Sequence, residues 1–546
     1  MVILRQLDQQ FPWRKYLVAL RLLGLSLFPL FVTNPVQAAE RINLSYGLLQ
    51  RSISVDALET YVETGEADRQ LAGYLDNLSP EQQVQVRQVL RTRIPLGAVE
   101  VSQFLYSPIG EELLERIGVV LNTDAPEAKF YALRSALILA ADDPEGLTPL
   151  NIIREFPLAE IDIDLTRGLN IAEAVQTLVN QTQQAIAAIN RQSALQAVAS
   201  PLNIPPAPDL WEPGEFEWEK QTLVLNDQAR NRIIPVSLYI PVASTPRPVI
   251  VISHGLGSDR FSFAYLADHL ASYGFVVAVP EHPGSSAEQL QALLAGTVDE
   301  VTSPSEFVDR PLDIIYLLDE LERLSQTNPT IQELFNLNEV GVVGQSFGGY
   351  TALALAGATI QPEQLATDCP ARATTLNPSL LLQCLALGLP PFEYDLSDPR
   401  VKAAIAINPV DSSIFGRTGL SQINIPVMVI SGSADRVAPA LPEQIQPFNW
   451  LTAPNKYLVL LTGGTHFSAI GESPNPIIPV PPEAIGASPL LAQQYVQALN
   501  TAFFQTYVAE QTGYRSYLSA AYAEAISQEA LPLSLIETGL QQLALD

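Results

Sequence analysis

Apolar residues are spaced in two different ways along the chain, and the change falls near residue 200. Between about residues 40 and 199 they recur at intervals of three and four, which is typical of amphipathic helices. A serine before a proline, at Ser79 and Ser107, indicates two helix starts, and Asn170 three residues before Glu173 indicates another. We therefore predict an all-α N-terminal domain over residues 40–199.

Beyond this region, short apolar runs alternate with helical segments. A proline-dense stretch over 200–213 predicts a linker. The runs that predict strands lie at 216–225, 233–240, 248–253, 275–279, 340–343, 401–407, 426–430 and 457–461. Strands that are apolar on both faces and separated by helices favour a mainly parallel sheet with helices on both faces. We predict such an α/β domain over 214–546, with a long insertion at 359–400.

A serine between glycines stands where one predicted strand passes into a helix, in the segment VGVVGQSFGG. The motif Gly344-Gln-Ser346-Phe-Gly348 at such a junction is the nucleophile elbow, which raises the serine above the sheet. Serine needs a base to take its proton and an acid to orient the base. The sequence therefore predicts Ser346 as a nucleophile within a catalytic triad.

Chain order selects the other two members of the triad. In this fold the acid follows the serine and the histidine comes last. Of the four histidines, only His466 follows Ser346. Asp435 comes shortly after the strand predicted at 426–430 and is the expected acid, while Asp411, after the preceding strand, is the alternative.

Two backbone amides are needed to bind the negative charge that develops on the attacked carbonyl. We expect them from Phe347, which follows the nucleophile, and from Leu256, in the glycine-containing loop after the third strand of this domain. His254 is expected to brace that loop and is also a possible pocket residue. His282, which follows the next strand, is a candidate for lining the pocket, and His269 is expected to be structural.

The N-terminus has the pattern of an export signal. A basic pair at 14–15 precedes an apolar run over 16–32, and small residues follow. This predicts a signal peptide over 1–38, cleaved after Ala38 or Ala39, and an exported protein that is periplasmic or secreted. An uncleaved anchor is the alternative, although the run is short and interrupted for a membrane span.

The predicted insertion contains both cysteines of the chain, Cys369 and Cys384. In an oxidising compartment such a pair can form a local disulfide, and two buried thiols are the alternative. The insertion also carries an apolar stretch at 380–385 and lies next to the helix that follows the nucleophile. It is a candidate lid, and an inert surface excursion is the alternative.

The charge balance excludes some partners. The chain has 58 acidic and 30 basic residues and a net charge of −28. A chain this acidic repels nucleic-acid backbones and anionic membrane surfaces. No metal-ligand cluster or glycine-rich phosphate loop is present, so no metal and no cofactor is predicted. The expected partner is a small-molecule or lipid ester substrate, and the sequence does not indicate an oligomeric state.

The chain resembles the α/β-hydrolase superfamily over about 216–507. Similarity to platelet-activating-factor acetylhydrolases is carried by the segments 248–257, 270–277, 281–282 and 344–349. Similarity to bacterial cutinases and polyester hydrolases is carried by 435–439 and 464–467, where those enzymes have their triad acid and base. The overall layout resembles exported cyanobacterial hydrolases with a helical N-terminal region.

Two departures from these relatives bear on the prediction. The acetylhydrolases carry their acid after an earlier strand, where this chain has Asn408, so the resemblance favours Asp435. Dienelactone hydrolases have a cysteine where this chain has Ser346. The resemblance implies an exported serine hydrolase of carboxylic esters, with lipid or short-acyl phospholipid esters as substrates. Polyester, amide or peptide cleavage, or a non-catalytic binding protein on this fold, are the alternatives.

Overall fold

The computed structural model describes residues 38–537 apart from 48, 77, 122–125, 203–208, 328–333, 372–374, 474–479, 481 and 487. The predicted signal peptide, except for Ala38, lies outside the described residues, as does the middle of the predicted linker. Within the described part of the chain, no helix combines the length and the apolar character needed to cross a membrane.

Twelve strands in the described residues form two sheets. They are Arg41–Tyr46 (β1), Leu49–Ser54 (β2), Glu160–Asp164 (β3), Trp218–Asp227 (β4), Arg232–Pro241 (β5), Arg247–Ser253 (β6), Val276–Pro280 (β7), Phe335–Gln345 (β8), Val401–Ile407 (β9), Val427–Gly432 (β10), Lys456–Leu461 (β11) and Leu533–Ile536 (β12). The large sheet has the order β12-β11-β10-β9-β8-β6-β7-β5-β4, and the small sheet has the order β2-β1-β3.

Helices in the described residues flank both sheets. They are Val55–Thr64 (α1), Arg69–Leu75 (α2), Pro80–Arg91 (α3), Ala98–Leu105 (α4), Pro108–Gly118 (α5), Pro126–Asp142 (α6), Pro149–Arg154 (α7), Leu165–Ala199 (α8), Ala264–Ser272 (α9), Ala287–Leu294 (α10), Glu306–Thr327 (α11), Phe347–Leu355 (α12), Pro362–Asp368 (α13), Leu380–Gln383 (α14), Ser412–Leu420 (α15), Gln446–Trp450 (α16), Pro482–Ile485 (α17), Pro489–Tyr507 (α18) and Ala520–Ile526 (α19). Short 3₁₀ turns lie at Cys369–Ala371, Cys384–Gly388 and Thr512–Tyr517, and a π-helical turn at Leu441–Ile445.

The centre of the large sheet is parallel and buried on both faces, as the apolar runs predicted. Strands β7, β6, β8, β9, β10 and β11 pair in parallel, whereas β4, β5 and β12 are antiparallel. Because parallel strands end at the same edge, the loops after β6, β8, β9, β10 and β11 gather there. The predicted fold, an α/β hydrolase with a mainly parallel sheet, is confirmed.

The N-terminal region is mostly helical, but it also contains the small sheet, which the sequence analysis missed. Strand β1 pairs with β2 through a tight turn and with β3 in parallel, more than a hundred residues later. Buried Asn43 links all three strands, because its side chain bonds Ser52 at 2.5 Å, Glu160 at 2.7 Å and Asp162 at 3.0 Å. Strands of five or six residues leave little periodic signal in the sequence, and local spacing does not show that β3 pairs with β1.

The long helix α8 ends at the predicted domain boundary, residue 199, but packs on the large sheet. It begins at Leu165, earlier than the predicted start near Asn170, because the Asp164 side chain caps it. Its second half covers the edge strand β12, where the Leu535 amide donates to the Ser193 hydroxyl at 3.1 Å. An exposed strand edge needs such a cover. The predicted N-terminal domain over 40–199 therefore ends in a helix that packs on the large sheet.

The far end of the predicted linker also belongs to the core of the α/β domain. Leu210 is buried against the large sheet, and its carbonyl accepts a 2.9 Å hydrogen bond from His269 Nε2. Burial lowers the pKa of His269 to about 4. This histidine is therefore neutral at physiological pH and fixes the chain entering the α/β domain.

Candidate active site

Ser346 lies in a strained turn between β8 and α12. Its backbone angles are φ 57° and ψ −117°, a conformation that non-glycine residues rarely adopt. A Cβ on Gly344 would lie 2.0 Å from the Gly348 carbonyl oxygen, and one on Gly348 would lie 2.0 Å from the Ser253 carbonyl oxygen. The Ser346 amide donates to the Ile407 carbonyl at 2.9 Å. Both glycines are therefore required for a turn that has the form of a nucleophile elbow.

His466 and Asp435 meet beside this turn. His466 Nδ1 lies 2.7 Å from Asp435 Oδ2, and Asp435 Oδ1 accepts from the Val437 and Ala438 amides at 2.8 Å each. A carboxylate held in this way accepts the Nδ1 proton and leaves Nε2 for proton exchange. Gln345, the neighbour of the serine, donates to the His466 carbonyl at 3.1 Å. The histidine backbone is thus attached directly to the elbow.

The alternative acid lies in a different environment. Asp411 is buried, and its backbone amide donates to Glu443 at 2.9 Å. Burial, with a smaller effect of Glu443, raises the pKa of the Asp411 carboxyl well above its usual value. Among the described residues Asp411 makes no hydrogen bond to His466. The geometry therefore favours Asp435 as the partner of the histidine.

Asn408 directly follows β9 and also contacts the favoured acid. Its Nδ2 donates to Asp435 Oδ2 at 2.8 Å, the same oxygen that accepts from His466. Its φ is 45°, which asparagine tolerates better than most residues. Asn408 thus supplies a hydrogen-bond donor where a carboxylate would repel Asp435.

The two candidate oxyanion donors lie at adjacent parallel strands. Phe347 begins α12 and is fully buried, whereas Leu256 is half-buried in the loop 253–258, which we call the oxyanion loop. The Gly257 amide fixes this loop by donating to the Ser285 carbonyl at 2.9 Å. In the described part of the chain, neither the Leu256 nor the Phe347 amide donates to another protein group. Both amides are consistent with donors to a developing oxyanion.

His254, within the oxyanion loop, and His282, beside it, are both fully buried, so neither lines an open pocket. His254 Nε2 accepts from the His282 amide at 3.0 Å. His282 Nδ1 lies 3.0 Å from Asp313, and its Nε2 lies 3.0 Å from the Ser253 hydroxyl. Burial holds the pKa of both histidines well below the usual value, and the charge of Arg310 has a smaller effect in the same direction. The expectation that they could line the pocket is therefore corrected.

A buried ionic network supports these histidines. Asp313 pairs with Arg230 at 2.9 Å and with Arg232 at 2.7 Å, and Arg232 also pairs with Glu306 at 2.5 Å. Burial raises the pKa of Asp313 and Glu306, while the arginines act in the opposite direction. The network anchors α11 to β5 directly below the loops of the site.

The predicted insertion is cross-linked. Cys369 and Cys384 form a disulfide with an S–S distance of 2.03 Å, and both pack in the same apolar cluster as Phe347 and Tyr350. The insertion therefore contributes to the core next to the nucleophile helix. Its role as a lid stays a prediction.

Side chains from two segments cap the N-terminus of helix α15. Glu443 Oε2 accepts from the amides of Asp411 and Ser412 at 2.9 and 3.1 Å. Gln383, beside the disulfide, accepts from the amides of Ser413 and Ile414 at 2.8 and 2.9 Å. The first N–H groups of a helix have no partner within the helix, and here these side chains supply one. Because Gln383 belongs to the insertion, its bonds also tie the insertion to the segment after β9.

Sequence reasoning missed three residues of the site. Arg310 stands in the apolar stripe of α11, and this break in the pattern was a readable signal. Gln345 lies inside the elbow motif at a position where any residue type can occur, so its identity did not predict a role. Glu443 gave no signal, because its partners come from segments distant in sequence. Among the described residues, no group of three or more His, Cys, Asp or Glu side chains is placed to hold a metal ion.

Comparison with known proteins gives two family matches. The family described as alpha/beta hydrolase of unknown function (DUF1400) matches residues 38–164, within the N-terminal region. The family described as platelet-activating factor acetylhydrolase, isoform II, matches residues 222–307, which include the oxyanion loop. Each match covers less than half of the chain.

Individual relatives are distant. Cutinase 1 of Thermobifida cellulosilytica and a cutinase of Thermobifida fusca are each 22% identical over 249 residues, 44% of this chain. The aligned part covers 68% of the first protein and 59% of the second. Fold, site and matches together define an α/β hydrolase. Among such proteins it resembles platelet-activating-factor acetylhydrolases and cutinases.

Proposed function

We propose that the protein is a serine hydrolase of carboxylic esters. The observation that carries the proposal is the strained Ser346 turn beside the Asp435–His466 pair. Strain of this kind persists only where the surrounding structure enforces it, and it raises the serine hydroxyl to the edge of the sheet. The similarity to cutinases and acetylhydrolases supports an ester as the substrate.

The proposed reaction uses each residue in a defined role. His466 Nε2 takes the proton of Ser346 as its oxygen attacks the ester carbonyl, and the Asp435 carboxylate stabilises the imidazolium. The amides of Leu256 and Phe347 bind the oxyanion. The protonated histidine then gives its proton to the leaving alcohol, and water hydrolyses the acyl-enzyme by the same steps.

Lipid or short-acyl phospholipid esters are the proposed substrate class. The apolar insertion beside α12 and the acetylhydrolase match to residues 222–307 support this choice. The test is hydrolysis of p-nitrophenyl esters from acetyl to palmitoyl, with Ser346→Ala as the control. We expect turnover in one chain-length range by the wild type alone. Equal inactivity of both proteins on every ester, and on phospholipids, would contradict the proposal.

We further propose that the protein is exported to the periplasm or secreted. The basic pair at 14–15, the following apolar run and the Cys369–Cys384 disulfide support this, since disulfides persist in oxidising compartments. Expression of the full chain in a bacterium, followed by fractionation and mass spectrometry of the mature N-terminus, tests it. Cytoplasmic protein that retains residues 1–38 would contradict it.

A further inference from the structure

Arg310 is a fully buried cation that the proposed mechanism does not use. It lies in α11 and has no accessible surface. Within the described residues its guanidinium makes no ion pair. Its hydrogen bonds go instead to the neutral groups around the oxyanion site, although Glu306 and Asp313 attract its charge. A buried charge is expensive unless every donor has a partner, so this arrangement requires an explanation.

One set of its bonds holds the oxyanion loop. Arg310 Nη2 donates to the carbonyl of His254, two residues before Leu256, and to the Ser253 hydroxyl at 3.2 Å. Nη1 donates to the Ser285 hydroxyl at 2.6 Å. The carbonyl of Ser285 in turn accepts from the Gly257 amide. The guanidinium therefore contacts both the start of the loop and the segment that fixes its far side.

The remaining bond holds the nucleophile helix. Arg310 Nε donates to the Thr351 hydroxyl at 3.1 Å, and that hydroxyl donates to the Phe347 carbonyl at 2.9 Å. The guanidinium carbon lies 4.6 Å from the centroid of the Phe347 ring. Arg310 is thus connected to the residue that carries the second candidate oxyanion donor.

We propose that Arg310 is a positioning residue that sets the distance between the two oxyanion donors, Leu256 and Phe347. The proposal rests on the proposed function. One rigid, planar group with donors at fixed angles bridges the two elements, and lysine cannot reproduce this geometry. N–H donors that already stand where the negative charge develops lower the activation barrier, because the site does not have to reorganise. Binding of the substrate in its ground state does not depend on them.

The test compares Arg310→Lys and Thr351→Val with Arg400→Lys as the matched control. Thr351→Val keeps the shape and the charge but removes the link to α12. Arg400 is another arginine with little exposed surface, but it pairs with Asp398 at 2.6 Å and precedes β9, at the end of the strands opposite the site. Kinetics on the best p-nitrophenyl ester are measured beside inhibition by an alkyl boronic acid, whose adduct with serine resembles the tetrahedral intermediate.

We expect kcat to fall about 100-fold for Arg310→Lys and about 10-fold for Thr351→Val, with KM changed by less than about two-fold. The boronic acid inhibition constant should rise in parallel with the loss of kcat/KM, a readout that a merely structural role would not move. Arg400→Lys should retain both values. If Arg310→Lys does not fold, Thr351→Val carries the test alone.

Two other results have distinct meanings. A folded Arg310→Lys or Thr351→Val with unchanged kcat and unchanged boronic acid inhibition overturns the positioning role while ester hydrolysis by the wild type stands. A change in KM alone also overturns it. A wild type without activity on any ester would instead overturn the proposed function, which the acyl-length series detects separately.

Discussion

Two groups of serine, histidine and aspartate lie at the same edge of the large sheet. In one, Asp435 contacts His466 at 2.7 Å beside Ser346. In the other, Asp313 contacts His282 at 3.0 Å, and His282 lies 3.0 Å from the Ser253 hydroxyl. The residue types are identical and the histidine–aspartate contacts are similar.

The surroundings of the two groups differ. Ser253 ends a regular strand, its hydroxyl accepts from Arg310, and Asp313 is neutralised by Arg230 and Arg232. The Ser253 hydroxyl is thus held in a buried network, and the Asp313 carboxylate is already paired with two arginines. Ser346 instead lies in a strained turn that raises its side chain. The three residue types alone therefore do not define a catalytic triad. The serine also needs a backbone turn that raises its side chain, and the aspartate must not already be neutralised by arginines.

The largest contrast is expected between Ser346→Ala and Ser253→Ala. We expect ester hydrolysis to fall by about 10⁴-fold or more for Ser346→Ala, because no other serine among the described residues lies in such a strained turn. Ser253→Ala removes two buried hydrogen bonds, to His282 and to Arg310, and should reduce activity by at most about 10-fold. Steady-state kinetics with active-site titration measure both. Comparable losses would show that the buried group takes part in catalysis.

Substitution of Asp435 should affect activity, whereas substitution of Asp313 should affect stability. Asp435→Asn should lower kcat by about 10³- to 10⁴-fold with little change in stability, because the amide no longer stabilises the imidazolium. Asp313→Asn removes one carboxylate from the partly buried Arg230 and Arg232, which keep other acidic partners, and should lower the free energy of unfolding by about 1.5–3 kcal/mol. Denaturant unfolding and kinetics on the folded fraction separate the two outcomes. A stable Asp313→Asn with lost activity would contradict this assignment.

The position of the acid can be tested by moving it. Because Asn408 Nδ2 touches the same Asp435 oxygen as His466, a carboxylate at residue 408 would lie close to the histidine. The double variant Asn408→Asp with Asp435→Asn should recover about 10-fold of the activity that Asp435→Asn loses. Asn408→Asp alone should be less active than the wild type, since two carboxylates then compete for one site. No recovery in the double variant would mean that the acid requires the loop after β10.

The smallest effect concerns pH. Since burial holds the pKa of His282 well below its usual value, the unfolded chain binds more protons than the folded chain as pH falls below the usual histidine pKa. The free energy of unfolding should therefore decrease from about pH 7 to about pH 5. His282→Gln should show a shallower decrease in denaturant titrations at both pH values. An equal slope in the variant and the wild type would contradict the neutral state of His282.

The sequence by itself determined eight of the nine strands of the large sheet, as segments of the chain, and the position of Ser346. Both depend on local signals: apolar runs of strand length, and glycines that the elbow requires at Gly344 and Gly348. Chain order then selected His466 and favoured Asp435. These inferences needed no knowledge of which segments meet in space.

Tertiary structure alone decided the rest. The small sheet, the cover of β12 by α8, and the cap of α15 by Gln383 and Glu443 all join segments far apart in the chain. His282 resembled a pocket residue in sequence, yet its ring lies in a buried network. Whether a polar side chain meets substrate or a buried partner depends on long-range packing, and local spacing does not encode that packing.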